Sequence, residues 1–159
     1  METDAYRDLI RNQKEYFRTG ETLAVAFRKE QLKVLKHSLK KHEVDVIAAV
    51  YDDFKKPLAE AYTSEVGIIY ADIDNALRNV KRWAKPRPVV NPPVHISTKS
   101  KVHPEPYGSA LIISPWNYPV QLLLSPLVGA ISAGNTAVVK PSEVSAHTSS
   151  VIARIIEDA

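Results

Sequence analysis

Residues 107–143 read YGSALIISPWNYPVQLLLSPLVGAISAGNTAVVKPSE, and this stretch decides the fold. The run at residues 109–113 is uncharged and too short for a helix, and it lies between a glycine and a proline, which suits a strand buried on both faces. Residues 120–132 are apolar over a length that suits a helix, and Gly134 suits its C-cap. A second β-branched run follows at residues 136–139. Strand, helix and strand of these lengths predict a βαβ unit with parallel strands and a right-handed crossover.

Each strand of this unit is followed by a loop that carries polar side chains. The first loop, residues 114–119, reads SPWNYP, and its two prolines stiffen the chain around Asn117. The second loop, residues 140–143, reads KPSE and carries a cation, a hydroxyl and a carboxylate. Ligands of open α/β sheets bind at the carboxyl ends of the strands, so both loops are candidate binding sites.

The chain before this unit is predicted to be helical and then extended. Apolar residues recur at helical spacing over four segments, which are residues 6–17, 23–42, 44–54 and 58–83. The four prolines of residues 85–93 exclude a helix and predict an extended connector. The rough alternation over residues 94–105 predicts a half-exposed strand. We therefore divide the chain into a helical segment with its proline-rich crossing, residues 1–93, and the beginning of an α/β domain, residues 94–159.

The chain after this unit supplies one more predicted helix. Ser145 is its predicted N-cap, and the sequence stops at Ala159 without a capping glycine. A parallel sheet of two strands is too small to bury both of its faces. We therefore expect this sequence to be the first part of a larger α/β domain.

Composition and charge exclude several classes of protein. Hydrophobic residues make up 45% of the chain and charged residues 25%, as in ordinary globular proteins. No apolar stretch approaches the roughly 20 residues of a membrane span, and the acidic N-terminus resembles no targeting peptide, so we predict a cytoplasmic protein. The lysines of residues 29–41 are interspersed with acidic residues, which favours a solvated helix face over nucleic-acid binding. Without cysteine, and without metal spacing among the histidines, we predict no metal site.

Three polar residues of the two loops have both a chemical and a structural interpretation. The amide of Asn117 could donate to a developing oxyanion or could tie down its own loop, and spacing alone favours the second. Lys140 and Glu143 could bind ribose hydroxyls or form a surface ion pair, and the residues alone favour the ion pair. The glycine fingerprint of dinucleotide-binding folds, GxGxxG, cannot be drawn from the five glycines.

Three motifs of the sequence resemble motifs of the aldehyde dehydrogenase superfamily. They are DFKKPLAEAYTSEV, PWNYP and GNTAVVKPSE, and they occur in the order of the family. The resemblance covers residues 6–159 and is strongest to the branch that includes the class 3 and fatty aldehyde dehydrogenases. It implies an α/β fold in which N-terminal helices precede the first βαβ part of a Rossmann-like parallel sheet, as in a truncated aldehyde dehydrogenase.

The resemblance also implies a role for each residue of the two loops. Asn117 matches an oxyanion-hole donor, Lys140 and Glu143 match residues that bind the adenosine ribose of NAD(P), and Ser142 lies beside them. Positions that line the same cofactor groove are matched by Ile113, Ser114, Pro115 and Trp116. Glu143 would accept a bond from a 2′-hydroxyl and repel a 2′-phosphate, so we expect NAD, with NADP possible. The implied substrate is an aldehyde, and the implied full-length protein is a homo-oligomer, a dimer.

This chain contains no counterpart of two catalytic residues of the family. They are the nucleophilic cysteine and the general-base glutamate, and the chain has no cysteine at all. We therefore expect these residues alone to be an inactive N-terminal fragment of an NAD(P)-dependent aldehyde dehydrogenase. The alternative is an interaction module, a catalytically inactive chain that joins enzyme subunits through the half-exposed strand of residues 94–105.

Overall fold

The computed structural model describes residues 2–94 and 97–159, with side chains from residue 4 onwards. Its α-helices are α1 (Glu2–Arg18), α2 (Val25–Lys41), α3 (Glu43–Phe54), α4 (Leu58–Ala61), α5 (Gly67–Trp83), α6 (Gln121–Ala133) and α7 (Ala146–Glu157). Its strands are β1 (Arg87–Val89), β2 (Ser100–Val102), β3 (Ser109–Ile113) and β4 (Thr136–Lys140). A 3-10 turn, Glu21–Leu23, precedes α2, and a π-helical turn, Tyr62–Val66, joins α4 to α5.

The predicted βαβ unit is confirmed. Strands β3 and β4 pair in parallel, with Ser109 beside Thr136 and Ile113 beside Lys140, and α6 connects them. Gly134 ends α6 in the left-handed region at φ 88°, as predicted for its C-cap. The short apolar runs therefore formed strands, and the longer apolar run formed the crossover helix.

The prediction that the first strand of this unit is buried on both faces is wrong. Ile112 joins the hydrophobic core, but Leu111 and Ile113 are 64% and 66% exposed. Side chains of a strand alternate between two faces, so the exposed residues lie on the face opposite Ile112. Helix α1 contacts the start of that face, where Thr136 Oγ1 donates to the carbonyl oxygen of Gln13 at 3.4 Å, but the described residues leave Leu111 and Ile113 uncovered. A full second layer of helices is what buries both faces of a parallel sheet.

One hydrophobic core joins the helical segment to the βαβ unit. Its fully buried large side chains come from α2, α3, α5, α6 and α7. They include Leu32, Leu35, Leu39, Val46, Val50, Ile69, Ile73, Leu123, Leu124, Ile152 and Ile155. Each such side chain contributes about 1.5–3 kcal/mol when it is removed from water. The crossover helix is thus packed against α2 and α5 rather than against a second sheet layer.

The prediction of a half-exposed strand over residues 94–105 is also wrong, both in the length of the strand and in its burial. Only β2 forms, and it pairs in an antiparallel register with β1, which lies in the segment predicted to be an extended connector. Every residue of both strands is exposed. Residues 95 and 96 of the predicted strand lie outside the described residues. Prolines at 92, 93, 104 and 106 flank the paired part and stop the ladder from extending.

The helix predicted over residues 58–83 is continuous but contains the π-helical turn. Gly67 follows that turn, and a Cβ added to Gly67 would lie 3.2 Å from the carbonyl oxygen of Tyr62. The glycine therefore permits a close approach within its own helix. Glu65 belongs to the same turn and is fully buried, and such turns occur frequently at functional sites.

The N-terminus of α6 is capped by the carboxylate of Glu65. Its Oε2 accepts hydrogen bonds from the backbone N–H groups of Val120 and Gln121, at 3.1 and 3.2 Å. Its Oε1 accepts a hydrogen bond from the ammonium group of Lys56 at 2.8 Å. The first N–H groups of a helix have no partner within the helix, and its dipole favours an anion there. Glu65 satisfies both requirements from a position 55 residues away from Val120 in the chain.

The C-terminus of α6 is held by a buried cation from α2. The guanidinium of Arg28 donates to the carbonyl oxygen of Ser132, at 3.2 Å, and to the carbonyls of Thr22 and Leu23, at 3.0 and 2.8 Å. A positive charge is favourable at the negative end of the helix dipole. Opposite charges from the helical segment therefore fix both ends of the crossover helix.

The N-terminus of α7 is capped by Asp53 of α3. Ser145 occupies the N-cap position, as predicted, but its hydroxyl donates to the carbonyl of Ser142 and makes no capping bond to the helix. The carboxylate of Asp53 instead accepts bonds from the backbone N–H and the hydroxyl of Thr148, at 2.8 and 2.7 Å, and from the backbone N–H of His147 at 3.2 Å. Burial alone would raise the pKa of Asp53, but the hydrogen bonds from Thr148 and His147 outweigh it and hold the pKa below its usual value.

Replacing Glu65 tests the link between the two parts of the fold. We expect Glu65→Ala to lower the free energy of unfolding by about 3–5 kcal/mol, because it leaves a buried cation and two helix N–H groups without partners. Glu65→Gln keeps an acceptor and should cost less. The measurement is urea denaturation followed by far-UV circular dichroism.

The matched control for this measurement is Glu60→Ala, an exposed glutamate on the preceding turn. It should change the free energy of unfolding by no more than about 0.5 kcal/mol. If Glu65→Ala were as mild as Glu60→Ala, the buried cap would not hold the two parts together.

Replacing Asp53 tests the cap of α7 through its pH dependence. Because the folded-state pKa of Asp53 is lowered, its contribution is complete above the unfolded-state pKa of about 3.9 and is lost as the pH falls through the folded-state pKa. We expect Asp53→Asn to cost about 1–2 kcal/mol near neutral pH, and we expect this cost to shrink as the pH falls below about 4. Urea denaturation at several pH values measures it, with the exposed neighbour Asp52→Asn as control. A cost independent of pH would contradict the assignment.

Candidate functional site

The parallel register brings the two polar loops to one edge of the sheet. Ile113 ends β3 beside Lys140, which ends β4. The backbone N–H of Ser114 then donates to the carbonyl of Lys140 at 3.1 Å, so the first residues of both loops are hydrogen-bonded. The residues that the sequence singled out therefore lie together, at the end of β3 and in the two adjacent loops, and they are Ile113, Ser114, Pro115, Trp116, Asn117, Lys140, Ser142 and Glu143.

The side chain of Asn117 lies at the surface of the first loop. The Asn117 side chain makes no hydrogen bond to residues 4–94 or 97–159. Pro115 stands two residues before Asn117 in the chain, and Pro119 stands two residues after it. The alternative in which Asn117 ties down its own loop thus has no hydrogen bond to support it. The amide is available to donate to a ligand.

Aromatic contacts anchor the first loop on the end of α3. The ring of Trp116 lies 6.3 Å from the ring of Phe54, measured between centroids, although Trp116 remains more than half exposed. The ring of Tyr118 lies 4.3 Å from Nζ of Lys56. Tyr118 has a φ of 49°, in the left-handed region that a residue with a Cβ seldom adopts. Asn117 thus lies between two anchored aromatic residues.

Lys140 and Glu143 form an ion pair in the second loop. Nζ of Lys140 contacts Oε1 of Glu143, and the hydrogen bond from Lys140 is the main reason that the pKa of Glu143 lies below its usual value. The two side chains are 46% and 78% exposed. An exposed pair of this kind contributes little to stability, so either group can turn to a ligand at small cost. The loop therefore presents a donor and an acceptor side by side.

The two serines of the site are buried and bonded within their loops. Ser142 Oγ accepts a bond from the backbone N–H of Val144 at 3.3 Å, and the carbonyl of Ser142 accepts bonds from the hydroxyls of Ser145 and Ser149. Ser114 is likewise buried, with its hydroxyl 3.5 Å from the carbonyl oxygen of Pro115. These serines shape the loops, whereas Trp116, Asn117, Lys140 and Glu143 form the exposed surface.

The N-terminus of α6 is closed to a phosphate group. In dinucleotide-binding folds with a GxGxxG turn, the pyrophosphate lies at the N-terminus of the helix that follows the first strand. Here the N–H groups of Val120 and Gln121 bind the buried carboxylate of Glu65. A second anion at this point would meet a like charge. The missing glycine fingerprint and the buried cap thus agree that this helix end is structural.

Sequence reasoning missed the residues of α3, α4 and the π-helical turn that support the site. Lys56 and Glu65 belong to the motif DFKKPLAEAYTSEV, which matched the family but received no role. A signal for Glu65 was present, because it stands four residues before Ile69 and eight before Ile73 on the apolar stripe of α5. A lone acid in an apolar stripe indicates a buried carboxylate with a partner.

Residues 2–94 and 97–159 contain neither a candidate membrane-spanning helix nor a candidate metal cluster. None of the helices there is both long enough and apolar enough to cross a lipid bilayer. The same residues contain no cluster of three or more histidine, aspartate or glutamate side chains placed to hold a metal ion.

Comparison with known sequences places the chain among aldehyde dehydrogenases. The model of the aldehyde dehydrogenase family matches residues 1–159. The 4,4'-diaponeurosporen-aldehyde dehydrogenase of Staphylococcus aureus is 46% identical over 145 residues, which are 91% of this chain and 32% of that protein. Aldehyde dehydrogenase family 3 member B1 of Mus musculus is 39% identical over 153 residues, which are 96% of this chain and 33% of that protein.

Comparison with solved structures gives the same result. A substrate-bound structure of Staphylococcus aureus AldH has a TM-score of 0.94 and 43% identity, over 96% of this chain and 33% of that one. Succinic semialdehyde dehydrogenase from Streptococcus pyogenes, solved with NADP+, has a TM-score of 0.81 at 17% identity, which shows a shared fold only. The chain spans about a third of the length of these proteins. The predicted fold class is confirmed, and the chain belongs to the aldehyde dehydrogenase family.

Proposed function

We propose that the chain is the N-terminal part of an NAD(P)-dependent aldehyde dehydrogenase that oxidises aldehydes to carboxylic acids. In this proposal it supplies an oxyanion donor and one wall of the cofactor groove. The observation that carries the proposal is the register of β3 and β4, which brings the loop of Asn117 beside the loop of Lys140 at the carboxyl edge of the sheet. Membership of the family supports the same chemistry.

The residues of the second loop suit the adenosine ribose of a nicotinamide nucleotide. Ribose hydroxyls need a donor and an acceptor, and Lys140 and Glu143 present one of each, both exposed. Exposed Ile113 and Trp116 would line the same groove. The carboxylate of Glu143 would accept from a 2′-hydroxyl and repel a 2′-phosphate, which favours NAD, with NADP possible. The cofactor, when bound, accepts the hydride that leaves the substrate carbon.

In the proposed chemistry, Asn117 stabilises the negative charge that develops on the aldehyde oxygen when a nucleophile adds to the carbonyl carbon. Its amide donates to that oxygen, and a preorganised donor of this kind contributes about 3–4 kcal/mol to catalysis. The chain has no cysteine to serve as the nucleophile. We therefore propose that residues 1–159 alone do not turn over an aldehyde and that the nucleophile and general base belong to other parts of the enzyme.

We also propose a domain organisation, a location and an assembly for the complete enzyme. Residues 1–93 would form the helical segment and residues 94–159 the beginning of the cofactor-binding domain. The complete enzyme would be a cytoplasmic homodimer.

A second candidate function is that of an interaction module, and one observation favours it. All residues of the hairpin β1–β2 are exposed, and an isolated two-stranded hairpin is marginally stable in water. A further strand or a subunit surface would stabilise it by covering it. The test is a variant with Val89→Lys and Val102→Lys. If this variant assembled with a complete enzyme as well as the wild type did, the interaction-module hypothesis would be contradicted.

Binding of NAD+ tests the proposed cofactor site. In a ¹H–¹⁵N NMR titration, we expect NAD+ to shift the backbone amide signals of the non-proline residues in 113–117 and 140–143. Lys140→Met should weaken binding about 10-fold or more, because it removes the cationic donor. Glu143→Gln should weaken NAD+ binding and improve the relative affinity for NADP+, because it removes the charge that repels the 2′-phosphate.

The matched control for the titration is Lys33→Met. Lys33 forms an exposed ion pair with Glu30 on α2, at the same three-residue spacing as the pair of Lys140 and Glu143. Its replacement should leave binding unchanged. Equal effects of Lys33→Met and Lys140→Met, or no shifts in the two loops at millimolar NAD+, would contradict the proposed site.

A further inference from the structure

The motif DFKKPLAEAYTSEV has no role in the proposed chemistry, yet three of its residues, Phe54, Lys56 and Glu65, anchor the loop of Asn117. We propose that Lys56 is a positioning residue whose ammonium group, held between the carboxylate of Glu65 and the ring of Tyr118, fixes the conformation of this loop. The inference rests on the proposed role of Asn117 as oxyanion donor. Lys56 acts through its neighbours and touches no reacting atom.

The contacts of Lys56 define a small cluster, in which the two charged side chains lie inside and Tyr118 is 37% exposed. Nζ lies 2.8 Å from Oε1 of Glu65 and 4.3 Å from the ring centroid of Tyr118. The side chain of Lys56 is only 12% exposed, and that of Glu65 is fully buried. Attraction between a cation and an aromatic ring is stronger where water is excluded. The position of the Tyr118 ring therefore depends on a charge that the protein holds in place.

The backbone of Tyr118 explains why this contact matters. Its φ of 49° is unfavourable for a residue with a Cβ, so other contacts must hold it. The bond that φ describes separates Asn117, on its N-terminal side, from Val120 and α6 on the other. Rotation about this bond would swing Asn117 relative to the helix.

The cluster fixes one side of this rotatable bond, because the ring of Tyr118 and the N–H of Val120 are both attached through the Cα of Tyr118. Lys56 holds the ring of Tyr118, while Glu65 binds Lys56 through one oxygen and the N–H of Val120 through the other. A second anchor lies on the other side of Asn117, where the ring of Trp116 packs on Phe54. The direction of the Asn117 amide therefore follows from residues at the end of α3, on its connection to α4 and in the π-helical turn.

The neighbouring lysine supplies a control within the same connection. Nζ of Lys55 lies 4.9 Å from the ring of Tyr51 and 3.5 Å from the carbonyl oxygen of Asp52, both on α3 itself. Lys55 is exposed, whereas Lys56 is not. Substitutions at the two positions remove the same charge from adjacent residues, but only one of them removes it from the cluster.

NMR relaxation measures the predicted effect directly, because the protein has a mass of 17.7 kDa. In the wild type, the backbone amides of Asn117 and Tyr118 should have order parameters of about 0.85, as in rigid backbone. In Lys56→Met they should fall below about 0.6, the range of flexible loops. Lys56→Arg keeps the cation and should restore the order, and Lys55→Met should leave it unchanged.

A second variant separates positioning from stability. Tyr118→Leu removes the ring but leaves the pair of Lys56 and Glu65 intact, so its urea midpoint should stay close to that of the wild type. The order parameter at Asn117 should nevertheless fall. This variant also tests the inference if Lys56→Met does not fold.

Two results would overturn the inference. The first is an order parameter at Asn117 that is the same in Tyr118→Leu as in the wild type. The second is an order parameter at Asn117 that is as low in Lys56→Arg as in Lys56→Met. The relaxation measurement needs no ligand, so it is independent of the proposed function. A wild-type protein that failed to bind NAD+, but whose loop lost its order in Lys56→Met and Tyr118→Leu, would contradict the cofactor site alone.

Discussion

The crossover helix α6 is held at its two ends by opposite charges from the helical segment, and the rest of the structure depends on this arrangement. Glu65 binds the N–H groups at its start, and Arg28 binds a carbonyl at its end. Both charged side chains are buried, and each has the sign opposite to the partial charge at its end of the helix. The helix dipole therefore stabilises charges that would be costly to bury alone. Since α6 connects β3 to β4, fixing the helix also fixes the edge at which the two loops lie.

The same arrangement constrains where a nucleotide can bind. With a carboxylate already at the N-terminus of α6, the usual position for a diphosphate is filled by the protein. The exposed ion pair of Lys140 and Glu143 lies instead in the second loop at the sheet edge, which we propose as the site of the ribose. Membership of the aldehyde dehydrogenase family and the lack of a glycine fingerprint are therefore compatible in this chain.

Local sequence patterns predicted the helical segments and the βαβ unit with its two polar loops, but not the β1–β2 hairpin, because the former depend on neighbours in the chain. Short apolar runs, prolines and Gly134 marked the βαβ unit, and the loops at its strand ends followed from topology. The caps of α6 and α7 were not predicted, since Glu65 and Asp53 act across 55 and 95 residues. The burial of β3 was wrong because it depends on a layer that the described residues do not supply.

The most direct test of this account is a set of nuclear Overhauser effects between bound NAD+ and the protein. The account predicts contacts between the adenosine ribose protons and the side chains of Lys140 and Glu143, with no contact to the start of α6. Contacts confined to another surface, such as the lysines of α2, would contradict the assignment of the sheet edge as the cofactor site.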